Sequence, residues 1–125
     1  MGLLGKGDDT ALEDEAERLA ALGLAELAAE ILPHVPNVKL GSYGSQGPGA
    51  TEVAETMAPG KLKGPAALRM VQVVAEGLQV LEHAGLVRLA IRGDESTALE
   101  FPMTRAGQAA LADGSVLEQL QRRAG

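Results

Sequence analysis

The sequence predicts a mainly α-helical domain carrying one small β-hairpin, and three observations carry that expectation. Residues 65–84 are apolar around most of a helical circumference, leaving one narrow polar stripe. Residues 86–92 and 98–103 alternate apolar and polar with period two about a polar tip, Gly93-Asp94-Glu95-Ser96-Thr97. Threonines at 10, 51 and 104 stand where helices would begin, and Gly85 stands where one would end.

Residues 1–9 read as a flexible N-terminus and residues 10–125 as a single domain. Thr10 with Glu13 three residues on forms a capping-box pattern, so a helix is expected over 10–22. After Gly23 the apolar spacing resumes in a second helix over 24–33, ended by Pro33. The first helix is amphipathic enough for two readings, a dimerisation arm or packing on its own domain. Val38-Lys39-Leu40 is strand-compatible, and the glycine-rich loop over 41–50 follows it. The loop reads as flexible rather than as a phosphate cradle: no GxxxxGK[ST] or strand–GxGxxG–helix unit is present, and Ser45 has Tyr at position 43 where a nucleophile elbow needs glycine.

Residues 51–58 predict a short helix capped by Thr51, with Val53, Ala54 and Met57 inward. The breaker-rich turn 59–65 leads into the long helix, for which Leu68, Met70, Val71, Val73, Val74, Ala75, Leu78, Val80 and Leu81 supply the apolar surface. Within the hairpin, opposing Ile91 with Leu99, Leu89 with Phe101 and Val87 with Met103 puts the large apolar residues on one face. Arg88, Arg92 and Glu100 then point outward, and Pro102 marks an edge or outer position. Thr104 caps a helix over 105–112, and Gly114-Ser115 separates it from a final amphipathic helix over 116–123, which could join the first helix in a dimer interface.

With 125 residues and 46% hydrophobic content the chain can bury a core. Cysteine is absent, which removes disulfides, thiol nucleophiles and thiolate metal sites together. No apolar run is long enough to span a bilayer and nothing resembles a secretory signal, so a cytoplasmic protein with no membrane partner is expected. The net charge is −6, but residues 37–92 hold six basic against four acidic side chains, whereas residues 1–36 hold two against eight. A mildly basic middle is flanked by acidic ends.

Enzyme chemistry finds little support, and no cofactor or metal is expected. His34 and His83 are distant in sequence without ligand spacing, and the acids at 13, 14, 15 and 17 point around a helix rather than across one face. Tyr43 and Phe101 are the only aromatics, too few for a platform on which single strands stack.

The order helix, short helix, long helix, hairpin, helix is that of a winged helix-turn-helix. One stretch is closer in wording: Leu81-Glu82-His83-Ala84-Gly85-Leu86-Val87, a hairpin, then Met103-Thr104-Arg105-Ala106-Gly107 resembles the "LE..GLV … LT..G" signature of MarR-like and PadR-like bacterial transcriptional regulators. The resemblance implies a homodimer, assembled through the terminal helices, with its long helix in the major groove of duplex DNA and its hairpin beside the minor groove. By position the groove-facing stripe would be Arg69, Gln72, Glu76 and Gln79, with Lys61 and Lys63 near phosphates and Arg88 or Arg92 on the wing. Arg69 and Gln72 suit base edges. Glu76, Asp94 and Glu95 are unfavourable beside phosphate, so binding should be weak and salt-dependent. The alternative is a winged-helix module that binds a protein partner without DNA.

Overall fold

A computed structural model of the chain describes residues 3–40, 45–91 and 99–124. It is mainly helical with one two-stranded antiparallel sheet. The helices are α1 (Leu3–Ala20), α2 (Leu24–Ile31), α3 (Ala50–Met57), α4 (Pro65–His83), α5 (Arg105–Asp113) and α6 (Val116–Ala124). A 3-10 segment, Leu32–Asn37, continues from α2, and the strands are β1 (Ala90–Ile91) and β2 (Leu99–Glu100).

Helix α4 is the centre, packed by α1, α2 and α3. Met70, Val74, Leu78 and Leu81 are fully buried along one side, in a cluster with Leu12, Ala16 and Leu19 of α1, Leu27 and Ile31 of α2, and Val53 of α3. Leu12, Ala16 and Leu19 of α1 are therefore taken up inside the chain. Its packing on its own domain is what the structure contains, and a dimerisation arm would need another surface. The expected inward position of Leu68 is overturned, because that side chain is 65% exposed. It lies beside Gln72 on the outer side of α4, a placement that the wide apolar arc of this helix conceals.

Several boundaries differ from expectation. Helix α1 extends back to Leu3, so Thr10 and Glu13 lie within a helix rather than at its start. Pro33 does not stop the second helix outright: the chain tightens into the 3-10 segment, which accommodates Pro33 near its start and Pro36 within it. Residues 38–40 pair with no strand among the described residues. Helix α3 begins at Ala50 with Gly49 as its cap residue, one position ahead of the expected Thr51. The Gly49 backbone N–H donates to the Glu52 carboxylate at 3.0 Å, which places a negative group over the helix start.

The end of α4 follows the expected chemistry. Gly85 has φ 79°, in the left-handed region that glycine enters without Cβ cost. The Leu86 N–H donates to the Leu81 carbonyl at 2.9 Å and the Gly85 N–H to Glu82 at 3.0 Å, the bond pair of a Schellman stop. Thr104 then links this stop to α5. Its hydroxyl donates to the Gly85 carbonyl at 2.6 Å and accepts from the Gly107 N–H at 3.0 Å. Gly107 packs so closely on the Leu86 carbonyl that a Cβ there would collide with it. The two halves of the LE..GLV and LT..G pattern thus meet in space.

Hairpin register is as expected. Ile91 faces Leu99, Ala90 faces Glu100, and an isolated bridge joins Val87 to Met103. The expected facing is only half right. At the base Val87 and Phe101 are buried, but further out Leu89, Ile91 and Leu99 are about half exposed or more, while Glu100 is 3% exposed. The core ends beneath Phe101, so the apolar side emerges into solvent beyond it, and residues 45–49 cover the Ala90–Glu100 side.

Candidate nucleic-acid interface

The candidate DNA-contacting residues, with the acids among them, fall in three places. Lys61 and Lys63 are exposed in the turn before α4. Arg69, Gln72, Glu76 and Gln79 recur at helical spacing on the outer side of α4, all exposed, with Leu68 among them. Arg88 is exposed at the base of the hairpin; Arg92, Asp94 and Glu95 lie outside the described residues.

Two of the arginines are engaged within the chain. Arg69 Nη1 lies 3.5 Å from Glu17 Oε1 of α1, an ion pair between side chains that are 50% and 62% exposed. Arg88 Nη2 donates to Gln46 Oε1 at 2.9 Å, and its backbone N–H donates to the Pro102 carbonyl at 2.9 Å. Gln72 and Gln79 present their amides to solvent on α4, an arrangement able to donate to and accept from a base edge.

The glycine-rich stretch has a structural task at its described end. Ser45 Oγ donates to Glu100 Oε2 at 2.7 Å, the Gln46 N–H donates to Glu100 Oε1 at 3.0 Å, and the Phe101 N–H donates to the Pro48 carbonyl at 2.8 Å. Gly47 is buried against Pro102. Residues 45–48 therefore run along the outer side of the second strand and tie it down, so Pro102 does not lie on an open edge. The outward orientation expected for Glu100 is corrected: its carboxylate anchors these donors from a buried position. The small partner Ala90 leaves room for it, and that small residue opposite a charged one is the signal in the sequence. Residues 41–44, the remainder of the expected flexible loop, lie outside the described residues.

Two further acids, Glu15 and Glu30, are held by Arg18 of α1. Arg18 donates from Nε and Nη2 to the two carboxylate oxygens of Glu15, at 2.9 and 2.8 Å, and from Nη1 to Glu30 of α2 at 3.2 Å. The hydrogen bonds from Arg18 hold the Glu15 carboxyl below its ordinary range, against the smaller upward push of partial burial. Glu15 and Glu30 in turn hold the Arg18 guanidinium more firmly charged.

Other chemistry has less to build on. The cleft of about 250 Å³ beside Pro36, Pro48 and Pro102 is lined by apolar residues with Gln46 and Gln108, none of them titratable. His34 lies half-buried in the 3-10 segment and His83 is exposed at the end of α4, near Glu82. Among the described residues no cluster of three or more His, Asp or Glu side chains could hold a metal ion, and no helix is long and apolar enough to cross a membrane.

Comparison with known proteins leaves the assignment to physical argument: no family model, no curated protein and no solved structure matches the chain.

Proposed function

We propose that this chain is a winged-helix protein that binds duplex DNA, in the manner of a bacterial transcriptional regulator, with α4 as the recognition helix and the hairpin as the wing. The observation that carries the reading is the outer side of α4. Arg69, Gln72 and Gln79 stand exposed in one row, continuous in the chain with exposed Lys61 and Lys63 in the turn before it. Glutamine amides pair with adenine edges and arginine with guanine, while lysines at a helix start suit phosphate. The helix order, the Schellman stop at Gly85 and the cap at Thr104 support the fold assignment without deciding its use. A homodimer remains part of the proposal, because two copies would double the few cations each presents. Catalysis has no place in this reading.

Fluorescence anisotropy with a labelled random duplex at about 50 mM salt tests it, and binding that falls steeply as salt rises is expected. Absence of salt-sensitive binding would remove the DNA reading.

One observation favours a second reading, a winged-helix module for a protein partner. Leu89, Ile91 and Leu99 expose an apolar surface on the hairpin, where contact with phosphate would call for cations. Failure to bind duplex, together with capture of a protein partner that Ile91→Ser and Leu99→Ser abolish, would favour it.

A further inference from the structure

Arg69 is the single arginine of α4, and on the DNA reading it is the strongest base-reading cation available to that helix. It is not free to act as one. Glu17 of α1 lies against it at 3.5 Å. The neighbouring acids Glu15 and Glu30 are both held by Arg18, whereas Glu17 is directed at the outer side of α4. Helix α1 cannot simply move away, since Leu12, Ala16 and Leu19 are buried against the core. The acid is therefore held beside Arg69 by packing, while both charged ends remain in solvent.

We propose that Glu17 is an autoinhibitory residue that occupies Arg69 and must be displaced before the arginine can engage DNA. The inference rests on the DNA reading of α4 and specifies how that site is restrained. An ion pair between exposed side chains is weak enough for a phosphate or guanine to displace. It is strong enough to cost about two- to fivefold in affinity at low salt. It also biases selectivity, because DNA able to engage Arg69 closely overcomes the restraint more readily than DNA that does not.

The test is a double-mutant cycle on the full chain, read by duplex anisotropy across a salt series, with thermal melts to establish folding. Glu17→Gln is expected to tighten binding about two- to fivefold near 50 mM salt, a gain that fades as salt rises. Glu13→Gln removes the same charge one turn earlier on α1 without touching Arg69, and should give a clearly smaller gain. In an Arg69→Gln background the Glu17→Gln gain should vanish. Equal gains from the two glutamates, or a gain that persists without Arg69, would overturn the proposal and assign the effect to net charge. Duplex binding by the wild type with no gain in Glu17→Gln would overturn it alone. No binding by either would remove the DNA reading and this proposal with it.

Discussion

At the scale of single residues, Thr104 joins two parts of the chain that lie nineteen positions apart. Its hydroxyl accepts from the first turn of α5 and donates to the carbonyl at the α4 stop. Thr104→Ala should therefore cost about 0.5–2 kcal/mol in urea denaturation, the range for a lost N-cap, and Thr104→Ser should recover most of it. Glu15 gives a pH-dependent counterpart. The hydrogen bonds from Arg18 hold its carboxyl below the ordinary carboxylate range, so its pairing stabilises the fold at neutral pH and the contribution disappears as pH falls through the folded value. Glu15→Gln should lose about 0.3–1 kcal/mol at pH 7, with the difference from wild type closing as pH falls through the folded value. A constant difference across that window would mean the carboxylate contributes through packing rather than charge. Thr104 was legible from the sequence because capping is a local interaction. Glu100 was not, because its donors come from residues 45 and 46, and alternation alone says nothing of a segment that arrives from elsewhere.

At the scale of elements, helices were easier to read than their edges. The stop at Gly85, the cap at Thr104 and the hairpin register each depend on neighbours within a few residues, and each is found where expected. The start of α1 and the passage through Pro33 were less legible, because propensity signals such as Thr10 and Pro33 yield to the packing of adjacent turns. Helix α4 shows the limit of periodicity most plainly. Apolar residues occupy so wide an arc that Leu68 and Leu78 look alike in sequence, yet one is 65% exposed and the other fully buried. Leu78→Ala should cost about 2–5 kcal/mol by leaving a cavity, whereas Leu68→Ala should stay within about 0.5 kcal/mol of wild type. Comparable losses at both positions in chemical denaturation would contradict this orientation of α4.

For the whole molecule, the acidic excess and the basic middle are not independent. Helix α1 brings Glu17 to Arg69, so the acidic N-terminal segment moderates the mildly basic face that follows it in sequence. Charge counting along the chain exposed the two regions but not their contact, which depends on α1 lying against α4. The proposed function makes that contact consequential: a DNA-binding face with few cations, one of them already paired, should bind weakly, with salt dependence set by the cations that remain. The decisive measurement is the slope of log affinity against log salt for the wild type and for a Lys61→Gln/Lys63→Gln/Arg69→Gln variant on the same duplex. With Lys61 and Lys63 of each protomer in a homodimer reaching phosphate, the wild-type slope should be about −4 and the variant slope markedly shallower. Equal slopes for the two proteins, or no binding by the wild type at low salt, would contradict the assignment of DNA to this face.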